Sequence, residues 1–269
     1  MRKAIKAIIL VLLLLFVLFP IAYLFMTSFF SSSDFIGEKA RFFPSQFSLD
    51  NLYKVLRKRG FSTYIKNSII TSTLSAFIKL GITTLAAYAF SHWKFRGKRA
   101  CAIILLSTLF IPSDAILYEN FTTISKLGLL DSYIGIILPG LFSASSLLLL
   151  SAAFYSLDKS YYDAAEIDGC SDIQYILYVL LPLTEAVAVT IFLQTFISTF
   201  NSYLWPLLVT NKKSMRTIQI AISLLGFGES GEYGAEMMSI LIISLPFIII
   251  LALSRKKIEK ALMNGYIHS

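Results

Sequence analysis

The sequence has few charged residues for its length. Of its 269 residues, 15% are Asp, Glu, Lys or Arg, whereas 56% are hydrophobic, and the mean hydropathy is +0.71. A soluble domain of this length needs far more charge on its surface. Crossing roughly 30 Å of hydrocarbon takes about 20 mostly apolar residues in a helix, and several windows meet that demand. The sequence therefore predicts an all-α, polytopic membrane protein.

Residues that would form a disulfide, a metal site or an ATPase site are also scarce. The only cysteines, Cys101 and Cys170, lie in unrelated contexts and are predicted to be free thiols. His92 and His268 are isolated, so no cysteine–histidine metal site is expected. The chain contains no Walker A motif and no evident nucleophile–base set. We therefore expect no catalytic residue, no cofactor and no ATP hydrolysis in this chain.

The net charge of +8 comes from basic residues that flank the apolar runs. Such flanks face lipid headgroups, so contact with membrane lipid explains the charge without any nucleic acid. Basic residues are divided almost evenly between the two sides, but the loop HWKFRGKR at 92–99 concentrates them close to the membrane. Under the positive-inside rule this density predicts that the loop and both chain termini are cytoplasmic.

Six apolar runs predict six transmembrane helices. They lie at 7–28, 68–90, 101–118, 133–156, 182–209 and 235–253. Prolines 20, 112, 206 and 246 are expected to bend or interrupt these spans. The chain then divides into a region with the first span (1–30), an outer segment (31–66), a core domain (67–260) and a tail (261–269). A short helix is expected near the end of the outer segment, at YKVLRKRG.

Between the fourth and fifth runs lies the segment YYDAAEIDGCSDIQYILYVLLP, residues 161–182. Local rules predict a helix over about 160–168 that Ser160 caps and Gly169 ends. A second helix is expected from about Ser171, with Pro182 in the first turn of the fifth span.

This segment is acidic and contains two adjacent small residues. The four acids are Asp163, Glu166, Asp168 and Asp172. Because Ala164 and Ala165 have small side chains, another surface can approach the helix backbone closely. A helix that docks onto a cytoplasmic partner and an ordinary solvated loop both fit these residues.

The pattern D-A-A-x-x-D-G-C…V-L-L-P resembles the signature E-A-A-x-x-D-G-A…I-x-L-P of bacterial ABC importer permeases. The matches are Ala164, Ala165, Asp168, Gly169, Leu181 and Pro182, and the departures are Asp163, Cys170 and Val179. NSYLWPLLVT (201–210) and KLGLLDSYIGIILP (126–139) are similar to segments of the carbohydrate-uptake branch, the maltose and glycerol phosphate permease type. The tail ALMNGYIHS departs from the Gly/Ala-rich ends that related permeases often have.

This resemblance implies the ABC importer permease fold in the bacterial cytoplasmic membrane. The implied partners are a second permease subunit, a pair of separate ATPase subunits and an extracytoplasmic solute-binding protein. The acidic segment would be the coupling helix that contacts the ATPase. Its implied residues are Asp163, Ala164, Ala165, Glu166, Asp168, Gly169 and Pro182. The implied solute is a sugar or oligosaccharide, with glycerol phosphate or another polyol as the alternative.

Some polar residues in the spans are candidates for a translocation path. Lys79 lies near the middle of the second span, where a charge is costly and points to function, although snorkelling to the headgroups also explains it. Gln194 lies at a similar expected depth in the fifth span. Asn201 and Tyr203 would line the outer part of a path or hold helices together. Trp205 is expected to be an interfacial anchor.

Two other function classes are less well supported by the residues. An ion-coupled secondary transporter would carry mid-span acids or inverted repeats, and we see neither in the sequence. A membrane enzyme would need a nucleophile–base set or metal ligands at one interface. The permease reading is therefore preferred.

Overall fold

The structure is a computed structural model, and it describes residues 2–31, 34–35, 42–57, 60–226 and 233–245. The chain separates into two compact units. Unit 1 comprises residues 1–61 and 221–269, and unit 2 comprises residues 62–220. The predicted tail at 261–269 and the end of the sixth predicted span lie outside the described residues.

Helices make up the regular structure throughout the described residues. They are α1 (Arg2–Thr27), α2 (Asp50–Arg57), α3 (Phe61–His92), α4 (Lys98–Ser107), α5 (Leu117–Lys126), α6 (Tyr133–Ile137), α7 (Ala144–Tyr155), α8 (Ser160–Ile167), α9 (Asp172–Tyr175), α10 (Leu181–Leu183), α11 (Glu185–Phe200), α12 (Leu204–Val209), α13 (Ile218–Gly226) and α14 (Tyr233–Leu245). The predicted all-α class is confirmed for the described part of the chain.

In unit 1, α1 is long and apolar, and the rest of the chain does not cover its apolar surface. Its segment Ile5–Thr27 has 23 residues, none of them buried in the most apolar window. The following turn is fastened to α2, because the Asn51 side-chain amide donates to the carbonyls of Ser28 (3.0 Å) and Phe30 (2.8 Å). Helix α2 confirms the short helix predicted in the outer segment.

In unit 2, α3 provides the longest element and defines two ends. Its 32 residues span about 48 Å at 1.5 Å per residue. At its start, the Asn67 amide donates to the carbonyls of Ser214 (2.8 Å) and Arg216 (2.9 Å) and accepts from the Tyr133 hydroxyl (2.8 Å). The other end of α3 packs against α8 and α9, and we call it the coupling end of unit 2.

The structure does not confirm six transmembrane helices. In the described residues, two helices are each long and apolar enough to cross a membrane, Ile5–Thr27 and Phe61–His92. Three further pairs pass the same test only if each bent pair is one span. They are Lys98–Phe110 with Asp114–Lys126 (bent by 95°), Tyr133–Gly140 with Ala144–Tyr155 (60°) and Asp172–Leu183 with Glu185–Phe200 (88°). The sixth predicted span, 235–253, is described only as far as residue 245, within α14, whose 13 residues are too few to cross a membrane alone.

Proline explains the first of these bends but does not interrupt the fifth span where predicted. Ile111, which precedes Pro112, leaves the helix for an extended conformation (φ −92°, ψ 115°), as steric contact with a following proline ring favours. Pro206, in contrast, does not interrupt the fifth span as predicted. The helix ends earlier, at Phe200, and Pro206 lies in the first turn of α12, where its missing N–H costs nothing.

Pro182 also lies elsewhere than predicted. It belongs to the three-residue helix α10, which ends at the sharp bend before α11. The five residues before α10, Ile176–Leu180, form a π-helical turn. A proline ring clashes with the carbonyl four residues earlier in an α-helix, and a wider turn relieves that clash. Pro182 therefore shapes the break before α11 rather than starting the span.

Candidate coupling site

Helix α8 begins with a side-chain cap, but not the predicted one. The backbone N–H of Ser160 donates to the Asp158 carboxylate (2.8 Å), and the residue before the helix, Lys159, makes no side-chain cap. The predicted Ser160 cap is therefore wrong, because an acid two residues earlier already satisfies this end of the helix. Hydrogen bonds from Ser160 hold the pKa of Asp158 below its usual value.

The end of α8 follows the prediction closely. Gly169 has φ +75°, in the left-handed region that glycine adopts without cost. The Cys170 N–H donates to the Ala165 carbonyl (2.9 Å) and the Gly169 N–H donates to the Glu166 carbonyl (3.1 Å). These two bonds form a Schellman motif, which satisfies the last carbonyls of the helix. The sequence AEIDG therefore sets both the end of α8 and the direction in which the chain leaves it.

Helix α9 begins where the sequence predicts, through a capping box. The Ser171 hydroxyl accepts from the Gln174 backbone N–H (3.4 Å), while the Gln174 side chain accepts from the Ser171 backbone N–H (2.8 Å). Such a reciprocal pair satisfies two N–H groups that the helix leaves free. The connection between α8 and α9 is thus fixed at both sides by local hydrogen bonds.

One face of this helix–turn–helix is built into the core of unit 2. Ala165 is 7% exposed and packs in a cluster to which α3, α7, α9 and α11 also contribute. The buried members are Ala87, Tyr88, Leu147, Leu150, Phe154, Ala165, Tyr175, Ile176, Leu180 and Ile191. Because Ala165 is small, the α8 backbone lies close to these helices. Helix α8 is therefore packed directly against the apolar helices of unit 2.

A polar and aromatic contact joins the same face to α3. The Tyr88 hydroxyl donates to the Asp172 carboxylate (2.8 Å). Five rings cluster here, those of Tyr88, His92, Trp93, Tyr162 and Tyr175, with His92 stacked on Tyr88 at 4.7 Å and Tyr162 edge-on to Tyr175 at 5.2 Å. Sequence reasoning missed this cluster, although tyrosines in both segments of the acidic region were a visible signal.

The other face of α8 is exposed and has mixed chemistry. Asp163, Ala164, Glu166 and Asp168 are all exposed. Ile167 is 86% exposed, among these acids. Asp163 lies 3.8 Å from the Lys159 ammonium, but so exposed an ion pair contributes little stability. The exposed face of α8 therefore combines several carboxylates with one large apolar side chain.

The structure brings most of the predicted coupling residues together. Five of them, Asp163, Ala164, Glu166, Asp168 and Gly169, lie on the exposed side of α8 and its terminal turn. Ala165 faces the core instead, and Pro182 belongs to α10.

The predicted path residues are less close to one another. Phe77 and Phe192 touch edge to face at 4.9 Å between α3 and α11. Lys79 and Gln194 each follow one of these rings by two residues, which is about 200° around a helix. They therefore lie at similar depth but turn away from this contact. No hydrogen bond joins them in the described residues. Lys79 is half-buried and Gln194 is exposed.

At the opposite end of unit 2, the predicted polar residues follow the span rather than lie inside it. Asn201 caps the end of α11, and its side-chain oxygen accepts from the Gln219 amide (3.2 Å). Tyr203 is 40% exposed. The Trp205 indole N–H donates to the Ile136 carbonyl (3.0 Å), and the ring packs against the cluster of Ile124, Ile136, Ile137 and Val209.

Comparison with known proteins identifies the family. Residues 1–264 match the family described as "Binding-protein-dependent transport system inner membrane component". The chain belongs to this family. The predicted resemblance is thereby confirmed, and the chain is the permease subunit of an ABC importer.

Individual relatives match over nearly their whole length. The chain is 31% identical to the trehalose/maltose transport system permease protein MalG of Thermococcus litoralis, over 95% of this chain and 93% of the relative. It is 28% identical to the sn-glycerol-3-phosphate transport system permease protein UgpE of Agrobacterium fabrum, over 97% and 96%. Among solved structures, a bacterial ABC transporter involved in the import of the acidic polysaccharide alginate matches with a TM-score of 0.81 and 26% identity. It covers 95% of both chains.

Proposed function

We propose that this permease forms half of a translocation path for a sugar or oligosaccharide. The observation that carries the proposal is the 31% identity to a trehalose/maltose permease across 95% of the chain. The structural similarity to an importer of an acidic polysaccharide supports the same solute class. The solute would arrive on an extracytoplasmic binding protein, as the family description requires.

Glycerol phosphate or another polyol is the alternative solute. A relative that carries sn-glycerol-3-phosphate is 28% identical over 97% of the chain. The half-buried Lys79 in α3 suits an anionic solute of either class, because a cation within a span attracts negative charge.

Uptake assays on the complete transporter distinguish these two classes of solute. Binding protein, both permeases and the ATPase pair would be reconstituted in proteoliposomes with a series of labelled solutes. The proposal predicts ATP-dependent uptake of a sugar or oligosaccharide that vanadate abolishes and an uncoupler leaves intact. Uptake of glycerol phosphate alone supports the alternative, and uptake that needs no ATPase overturns both.

We further propose that the exposed face of α8 binds a separate ATPase subunit. Two features support this role, an acidic and apolar outer surface and a small-residue inner surface built into the core of unit 2. When the ATPase pair closes on ATP, a pull on α8 would move α3, α7 and α11 through the Ala165 cluster. Because packed helices shift between discrete arrangements, this contact can switch the access of the path.

The coupling end would then be cytoplasmic, together with both chain termini. The dense basic loop at 92–99 follows α3 at this same end, as the positive-inside rule requires. Cys170 offers a direct test, because it is an exposed free thiol at the end of α8. In a Cys101→Ser background, a membrane-impermeant thiol reagent should label Cys170 in inside-out vesicles and spare it in intact cells. Labelling in intact cells would reverse the proposed orientation.

A further inference from the structure

Unit 2 contains a cavity that the coupling role does not use. It has a volume of about 430 Å³ and lies between α4 and α7, beside the end of α3. On α4 the lining residues run from Lys98 to Leu106, and on α7 from Ala144 to Tyr155. These stretches are roughly 12 and 16 Å long at 1.5 Å per residue. The cavity is therefore about as deep as one leaflet of hydrocarbon, which is about 15 Å.

The chemistry of the cavity changes along its length. At the coupling end its wall carries Lys98, Arg99 and the Tyr155 ring, with the Lys98 ammonium 5.8 Å from the ring centroid. Towards the other end the lining is apolar and includes Leu106 and Ala144. No acid lines the cavity, and neither base forms an ion pair with an acid in the described residues.

A buried hydroxyl lies on the cavity wall below the two bases. Ser151 is 8% exposed, and its hydroxyl has no hydrogen-bond partner. A buried polar atom without a partner is rare and calls for an explanation. Ser151 lies one turn from Tyr155 along α7, and its backbone is about 6 Å farther from the coupling end. Rotation of the Ser151 side chain about χ1 would bring the hydroxyl to an acceptor of a ligand in the cavity, which would satisfy it.

We propose that this cavity holds one anionic phospholipid of the leaflet at the coupling end. The phosphate contacts Lys98 and Arg99, an ester carbonyl accepts from the Ser151 hydroxyl, and an acyl chain fills the apolar depth. Basic pockets between membrane helices select anionic headgroups in this way. The assignment to the inner leaflet uses the proposed orientation, whereas the headgroup selectivity does not depend on it or on coupling.

Native mass spectrometry of the delipidated, complete transporter tests this site. Phosphatidylglycerol and phosphatidylcholine with the same acyl chains would be titrated separately. The variant Lys98→Gln/Arg99→Gln should bind phosphatidylglycerol about thirtyfold more weakly, because each base near an anionic headgroup contributes about 1 kcal/mol of binding free energy. Ser151→Ala should weaken binding about fivefold without changing any charge.

Lys94→Gln/Arg96→Gln is the matched control. It removes the same charge from the same loop, but neither residue lines the cavity, so phosphatidylglycerol binding should stay within about threefold of the wild type. If both double variants lose phosphatidylglycerol binding equally, the loss reflects general surface charge, and the proposed site is wrong. Equal binding of the two lipids would overturn the headgroup preference. Absence of any bound lipid would mean that a helix of the partner permease fills the cavity, which also overturns the proposal.

Discussion

Replacement of Ile167 by alanine should weaken attachment of the ATPase without destabilising the permease. The Ile167 side chain is 86% exposed at the end of α8, so nearly all of its apolar surface is free for a partner. The change removes three carbon atoms, each worth about 0.8 kcal/mol when buried, or about 2.4 kcal/mol together. If Ile167 is buried in the ATPase contact, the affinity should fall about fiftyfold.

The assay is a titration of the reconstituted permease pair with the isolated ATPase subunit, together with thermal unfolding of the permease pair. Unfolding should change by less than about 0.5 kcal/mol, as is usual for exposed sites. Ile103→Ala is the matched control, because Ile103 is 62% exposed on a different helix, α4, and should leave the affinity unchanged. Ile176→Ala, at a position 3% exposed, should instead cost about 2–5 kcal/mol of stability. An Ile167→Ala affinity within twofold of the wild type would show that the ATPase does not bury Ile167.

Three further experiments test the local structure. The Cβ of Gly169→Ala would meet no neighbouring atom, but an alanine in the left-handed conformation costs about 1–2 kcal/mol of conformational energy. The affinity for the ATPase should therefore fall about 5–30-fold, and it should fall less for Gly169→Asn. Equal affinities for glycine, alanine and asparagine at this position would contradict the expectation. Tyr88→Phe and Asp172→Asn should show about 1–2 kcal/mol of coupling in a double-mutant cycle on α9 hydrogen exchange, and additive effects would exclude the bond. Gly135→Ala places a Cβ 2.2 Å from a backbone carbonyl oxygen and should lower the melting temperature, whereas Gly140→Ala, with nothing within 4 Å, should not.

Local chemistry explains why the coupling segment could be predicted from sequence. Gly169 ends α8 and Ser171 starts α9 because the left-handed turn and the capping box each depend on a few adjacent residues. The Ser160 cap failed for the same kind of reason, since Asp158 competes for the same end of the helix. Ala165 and Ile167 could not be distinguished as buried and exposed, because that depends on where α3 and α7 lie.

The breaks in the predicted spans were harder to place. Hydropathy reports whether residues suit hydrocarbon, not whether a helix is continuous through them. The break at Ile111 has a local signal in the proline that follows. The 88° bend at Thr184 was not predicted. Pro182 lies just before this bend, but it was expected to lie in the first turn of a span.

Cross-linking from α8 tests most directly whether this helix contacts the ATPase subunit. Ala164 is exposed on α8 and Lys212 is exposed at the opposite end of unit 2. Each would be replaced by cysteine in a Cys101→Ser/Cys170→Ser background of the assembled transporter. The account predicts that Ala164→Cys cross-links to the ATPase subunit and that Lys212→Cys does not. A cross-link from Lys212→Cys alone, or from neither position, would contradict it.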